Sequence, residues 1–439
     1  MSDPFPFEPF PTGGLPPAPK GPDPVPAAAF QAAVEGSDAY RGLREALQVD
    51  EGVLRLGNRF LPVGRYREVA FLALGEAAHS LALGALTTLG SRVTAGLVAG
   101  PEPPPADFPF PSLRVGPGGE ETAVDEVGRA ATELLEALTE RDLFLLLLSS
   151  GAVTTLAAPP AGFGASAWQG WLGELARAGV SAREQEEVVR VVAGGLVGGR
   201  LGMIPTRGDR AVFVVDRGHG PALLGGGPTI PIAAEERLKV RQLLLRLGRV
   251  ETLPASARER LGPVAPASTV GPWDRPVVIA QPSDAVRSAA DRLFDRKWTS
   301  RLIDLELSGP PEAAAARFVE GMEELLRKEP LTAESRTRGI AGFAMTTLDV
   351  PEGAPDGPAM ERFLAQAYGR LRRREMTIAV GRTAGAPDRA RYPAGAVVGR
   401  IGEPAEGLSP GRPRPLAMRS GITDVGALVV GLVPTPSAD

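Results

Sequence analysis

The chain carries few side chains with which to do chemistry. Of its 439 residues none is cysteine and two are histidine, His79 and His219, and its four lysines (Lys20, Lys239, Lys297 and Lys328) stand beside a large excess of arginine. Without thiols there is no disulfide framework, thiol nucleophile, iron–sulfur cluster or cysteine-ligated zinc. Two histidines are too few for a His-rich metal site, and four lysines leave few amines for catalysis. His219 sits in the glycine-flanked run Gly218-His219-Gly220, close behind Asp216. It reads as a loop histidine or a ligand-binding one, and Asp216 as a possible metal or hydroxyl ligand. His79 reads as a helix-face residue. The pairs Glu120–Glu121 and Glu186–Glu187 read as solvated faces.

Generic motifs do not supply a function. No Gly-x-x-x-x-Gly is followed by Lys-Ser or Lys-Thr, and there is no G-x-G-x-x-G after a strand, no H-E-x-x-H, no EF-hand loop and no G-x-S-x-G elbow. The net charge of −4 gives no reason to expect nucleic acid or an anionic membrane. No run approaches the ~18 apolar residues of a membrane span, and the N-terminus lacks the pattern of a secretory signal. A soluble, cytoplasmic protein is the expectation.

The elements that must hold these residues alternate. Arg67–Leu74 reads as a buried strand running through Gly75 into a helix, Glu76–Leu89. Thr94–Ala99, Asp142–Ser149 and Arg210–Val215 read as further strands. Between them lie helices Asp125–Glu140, Trp168–Ala178 and Ala182–Leu196. Ahead of them Ala28–Ala46 reads as one helix. A second series follows: helix Ala233–Leu247, strand Pro276–Ala280, helix Asp284–Asp295, strand Arg301–Leu307, helix Pro311–Lys328, strand Ile340–Val350, helix Met360–Arg373, and strands Met376–Val380 and Ala427–Leu432. Strands alternating with helices predict βαβ units, a largely parallel sheet, and ligands beyond the carboxyl ends of its strands. Gly75, Ser149–Ala152 and Asp216–Gly220 all fall on that edge. The first 26 residues hold ten prolines and three phenylalanines, Phe5, Phe7 and Phe10. That tail either packs on the chain's own surface or docks on another subunit.

Several segments, in order, resemble the glycerate 2-kinase family, whose members carry a C-terminal MOFRL domain. They are YREVAFLALGEAAHSLALGAL (66–86), LFLLLLSSGAVTTLAAP (143–159), VVRVVAGGLVGGRLG (188–202), VFVVDRGHGPALLGGGPTIP (212–231), IAQPSDAVRSAADRL (279–293), AGFAMTTLDV (341–350), IAVGRTAGAPDRARYPAGAVVG (378–399) and LVVGLVPTPSAD (428–439). The resemblance implies a Pro-rich tail (1–27), a Rossmann-like, mostly parallel α/β domain (28–310) and a smaller MOFRL-like α/β domain (311–439). Glycerate and ATP with Mg²⁺ would meet in the cleft.

At the motif positions the charges are gone. The family's Gly-Ala-Gly-Lys-Ala turn reads Ala73-Leu74-Gly75-Glu76-Ala77, placing Glu76 at the lysine. The Ser-Gly-Gly-Gly-Ser loop keeps Ser149 and Gly151 but ends on Val153. Lys-Gly-Gly-Arg-Leu becomes Val197-Gly198-Gly199-Arg200-Leu201. Ser-Asp-Val-Pro-Gly-Asp keeps only Asp216, its second aspartate position being Gly220. Ser-Gly-Pro-Thr becomes Gly226-Gly227-Pro228-Thr229, and the arginine of Gly-Gly-Arg-Asn-Gln-Glu aligns on Pro358. Glu-Thr-Thr reads Met345-Thr346-Thr347, and Gly-Thr-Asp-Gly reads Gly381-Arg382-Thr383-Ala384. Gly75, Ser149, Gly151, Gly198, Gly199, Arg200, Asp216, His219, Gly227 and Thr229 remain as candidate ligand contacts, with Glu76 and Pro358 marking the lost catalytic charges. Phosphoryl transfer depends on positive groups facing the phosphate oxygens, and losing one typically costs ~10²–10³ in turnover. The expectation is a catalytically degenerate kinase kept as a binding or assembly subunit, alone as a homo-oligomer or with a protein partner. A phosphotransferase rewired around Arg217, Arg382 and Asp216, and a small-molecule sensor, are the alternatives.

Overall fold

Successive residues of the central strands enter opposite cores. Phe71, Ala73, Leu143, Leu145, Leu147, Phe213 and Val215 face one apolar cluster, while Leu72, Leu74, Phe144, Leu146, Leu148, Val212 and Val214 face the other. Such near-continuous apolar strands belong to a parallel sheet covered by helices on both faces. The computed structural model describes residues 24–101, 107–115, 121–217, 227–262, 276–332, 336–348, 356–370, 376–383, 396–400, 414–415 and 427–435. Residues 1–23 of the Phe/Pro tail and the loop bearing His219 lie outside them, whereas residues 24–27, read as the end of the tail, open the first helix.

Strands β1 (Leu47–Asp50), β2 (Val53–Leu56) and β3 (Arg59–Pro62) form an antiparallel meander. Strands β4 (Glu68–Leu74), β5 (Val93–Gly100), β6 (Ser112–Arg114), β7 (Asp142–Leu148), β8 (Asp209–Val215) and β9 (Val277–Ala280) form a six-stranded sheet ordered β6-β5-β4-β7-β8-β9. All its pairings are parallel. This is the doubly wound order, in which the chain leaves β4 in one direction and returns to β7 on its other side. Strands β10 (Trp298–Gly309), β11 (Gly339–Leu348), β12 (Thr377–Arg382), β13 (Ala396–Arg400), β14 (Arg414–Pro415) and β15 (Ala427–Pro434) form a mixed sheet ordered β10-β11-β15-β12-β13-β14. Only β10 and β11 are parallel in it.

The helices are α1 (Pro24–Gly36), α2 (Ala39–Ala46), α3 (Ala78–Leu89), α4 (Glu121–Glu136), α5 (Ala152–Leu156), α6 (Ala165–Arg177), α7 (Ala182–Val192), α8 (Ala234–Arg246), α9 (Ala255–Arg260), α10 (Pro282–Phe294), α11 (Pro311–Lys328) and α12 (Asp356–Arg370). Residues of α1, α2, α3 and α10 fill the first core, which extends onto Phe343, Met345, Leu428 and Val430 of the mixed sheet. Residues of α4 to α9 fill the second. The opposite face of the mixed sheet packs on α11 and α12. None of the helices among the described residues is long and apolar enough to cross a membrane.

Three expectations change. The single helix over Ala28–Ala46 is two, because the Ser37 hydroxyl donates back to the Ala33 carbonyl at 2.8 Å and Asp38 caps α2 by accepting the Arg41 amide at 3.1 Å. Both side chains compete with continued helical bonding. The strand read as Arg301–Leu307 at the end of the first unit pairs with β11, so it belongs to the mixed sheet. The meander over residues 47–62 was absent from the sequence reading; its first turn uses Glu51 and Gly52, both at positive φ.

Candidate functional site

The crevice where the order of the parallel sheet reverses lies between the tips of β4 and β7, and the loops there are Gly75–Ala77 and Ser149–Gly151. In doubly wound sheets this is where ligands sit. Gly75 takes a φ of 102°, and a Cβ added to it would fall 2.3 Å from the Ser150 carbonyl oxygen. Only glycine lets the two loops approach this closely. A Cβ on Gly100, at the tip of β5, would in turn fall 2.3 Å from the Gly75 oxygen.

Six amides of this corner are turned inward. Gly75 donates to Ala99 O at 2.9 Å, Glu76 to Ser150 O at 2.8 Å, Ala78 to Gly75 O at 3.2 Å, Ser149 to Leu74 O at 3.0 Å and Ala152 to Ser149 O at 3.0 Å. The buried Ser149 hydroxyl accepts the Ala77 amide at 3.0 Å and donates to Leu74 O at 3.0 Å. Gly75, Ser149 and Gly151 are thus brought together, with Glu76, half-buried, at the entrance to α3. His79, one turn on, packs edge-on against Phe108, and burial pushes its imidazole pKa down. It belongs to the helix packing.

Two strands' breadth away, Asp216 follows β8, is 7% exposed, and donates its amide to Ala280 O at 2.8 Å. Arg217 comes next. Facing it from α7 is Glu186, whose carboxyl burial pushes up to about 8 against the pull of Arg217 and Arg190. The neighbouring Glu187 is 4% exposed and paired with Lys239 at 2.6 Å and Arg183 at 3.5 Å. Arg183 also reaches Glu306 of β10 at 3.1 Å, tying α7 to the mixed sheet. Arg190, 1% exposed, pairs with Glu236 of α8. The Glu186–Glu187 pair is therefore no solvated face. Its signal was the run Glu187-Val188-Val189-Arg190-Val191-Val192, where apolar residues surround the charges on every side of the helix and require them to pair.

The segment after α7 is structural in its main contacts. Gly199 donates to Gly227 O at 3.0 Å, and Gly198 packs on Ile232 and the Arg190 carbonyl. Arg200 turns back on its own loop: Nε donates to Gly195 O at 2.6 Å, and Nη2 to Ala193 O at 2.7 Å and Gly194 O at 3.0 Å. Thr229 is buried beneath Gly202. In the mixed sheet, Thr346 donates to the Leu307 carbonyl and Thr383 is buried at the end of β12. Pro358 falls in the first turn of α12, where a proline is tolerated. Among the described residues no group of three or more His, Asp or Glu is placed to hold a metal ion.

The PH0495 protein from Pyrococcus horikoshii OT3 superposes with a TM-score of 0.69 at 17% identity, covering 94% of this chain and 98% of that one. Glycerate kinase from Thermotoga maritima superposes with a TM-score of 0.68 at 18% identity, covering 93% and 98%. At such identities the likeness is one of fold, and the fold is glycerate-kinase-like. No curated protein sequence matches the chain. The sequence pattern described as Domain of unknown function (DUF4147) matches residues 26–262, more than half of its length. The chain belongs to the DUF4147 family.

Proposed function

We propose that this protein keeps the cleft of a glycerate-kinase-like fold without its phosphoryl-transfer chemistry, and that it works by binding, as an assembly or regulatory subunit. One observation carries the reading: at the switch point the amides of Gly75, Glu76, Ala77, Ala78, Ser149 and Ala152 all donate to acceptors of the protein itself. A phosphate cradle needs such donors aimed outward at the ligand. The side chain at the position the resemblance gives to a lysine is Glu76. A carboxylate ~4 Å from a phosphate charge opposes it by about 4 kcal/mol at an effective dielectric of 20. Glu76 and these six inward-turned amides disfavour the phosphates of ATP, and Asp216 alone does not make a Mg²⁺ site, which takes several oxygen ligands.

The test is direct. Full-length protein given ATP, Mg²⁺ and glycerate should form no ADP above the uncatalysed background. Turnover in the ordinary enzymatic range, about 1–10³ s⁻¹, overturns the proposal.

Arg217 supports a second reading, because it places a guanidinium beside Asp216 at the strand tips, within electrostatic reach of Glu186. That reading is a rewired phosphotransferase acting on glycerate or a related hydroxy acid. Calorimetry separates the two: the rewired enzyme requires a nucleotide binding heat, with or without Mg²⁺. Thermal stabilisation by a small hydroxy acid without turnover marks a sensor.

A further inference from the structure

From the convergence of three arginines at the end of α7, we infer that Arg200, Arg237 and Arg260 form an anion site for a phosphate group, separate from the switch point. Arg200 lies in the loop after α7, Arg237 in the first turn of α8, and Arg260 at the last position of α9. Arg260 Nη1 donates to Val192 O at 2.7 Å, and Arg237 Nη1 donates to Arg260 O at 2.8 Å. With the three bonds of Arg200 to Ala193, Gly194 and Gly195, the Arg200 and Arg260 guanidinium groups share the turn 192–195, and Arg237 joins them through the Arg260 carbonyl.

Every one of these acceptors is a neutral carbonyl. Among the described residues no carboxylate forms an ion pair with the three: the neighbouring Glu236 is committed to Arg190, and Glu259 reaches Arg260 only at longer range. Burial, with Arg260 and Arg237 close by, pulls the Arg200 guanidinium down to about 10. Burial lowers Arg237 and Arg260 as well. A single cation suffices to cap a helix C-terminus; here three half-buried ones stand together, and Glu236 and Glu259 act on Arg237 and Arg260 only from beyond ion-pair contact. Each guanidinium offers five N–H donors. The carbonyls occupy one of them on Arg237 and one on Arg260, and leave Nη1 of Arg200 unused. A phosphate dianion brings both the charge and the acceptor oxygens that such a fork geometry takes up.

The experiment titrates full-length protein with inorganic phosphate, and separately with glycerol phosphate, at constant ionic strength set by chloride. Binding seen by calorimetry, with a rise in melting temperature, is expected. Arg237→Gln and Arg260→Gln should each weaken it about tenfold or more, the loss of one charged hydrogen-bonding partner. The rise in melting temperature on adding phosphate should shrink in Arg237→Gln whatever its own melting temperature without phosphate, since the variant loses both a repelling charge and the bond to Arg260 O. Preference for glycerol phosphate identifies a phosphate ester as the ligand, and equal affinity identifies the free ion. No phosphate heat, or binding undiminished in Arg237→Gln, overturns the inference and leaves the three arginines as helix caps.

Discussion

The Ser149 hydroxyl holds the Ala77 amide at 3.0 Å, joining the loop after β7 to the turn that starts α3. The same oxygen donates to Leu74 O, so a single buried hydroxyl closes the corner from both sides. Ser149→Ala orphans the buried Ala77 N–H, while Leu74 O keeps the Ser149 amide. A loss of roughly 1–3 kcal/mol is expected, read as a lower urea midpoint with an unchanged slope.

Gly75 and Gly151 separate two costs of replacing a glycine. Both have positive φ, at 102° and 82°, but a Cβ on Gly151 meets nothing nearer than 3.7 Å, whereas one on Gly75 meets the Ser150 oxygen at 2.3 Å. Gly151→Ala should cost only the backbone strain, about 1–2 kcal/mol. Gly75→Ala adds a clash that forces the loops apart and should exceed it by at least ~1 kcal/mol. Equal losses in parallel denaturant titrations would mean that the loops do not touch as described.

Glu186 makes stability depend on pH in a defined sense. Its carboxyl titrates near 8 in the folded chain and near 4.5 without the fold, with burial the leading cause. Between those values the native state holds a proton that the unfolded chain has released, so this residue's contribution falls as pH rises. Glu186→Gln cannot ionise. It should melt with the wild type below about pH 4.5 and increasingly above it up to about pH 8, where a pH-independent difference would exclude the assignment.

Arg190 is 1% exposed and holds Glu236 across α7 and α8. Arg190→Met strands that carboxylate and removes a charge facing Glu186, for an expected loss of about 3–5 kcal/mol. Adding Glu236→Leu should recover most of it, since a packed apolar pair replaces the ion pair. Failure of the double variant to recover would locate the cost in the Arg190 bond to Ile230 O instead.

The parallel sheet was legible because Phe144, Leu145, Leu146, Leu147 and Leu148 leave no polar face, and strands buried on both sides have this signature. The loops at its carboxyl edge followed from chain order alone. The meander was not legible: its strands are four residues long, and Phe60, Val49 and Val53 are exposed, so apolar residues do not mark one buried face. Glu76 was found by its position in a motif. The inward-turned amides were not, since backbone donors have no letter in a sequence. The charges of α7 were misread because a count of acidic residues cannot tell a solvated carboxylate from one closed over by two other helices.

The order of the mixed sheet has a consequence for how the protein is made. Strand β15 is synthesised last, yet it lies between β11 and β12 and supplies the pairing surface of both. At translation speeds of about 5–20 residues per second, β11 emerges several seconds before its neighbour exists. Through that interval Phe343 and Met345, and the helix surfaces they later cover, are without that strand. The nascent chain therefore stays exposed to aggregation until β15 has emerged and inserted between β11 and β12.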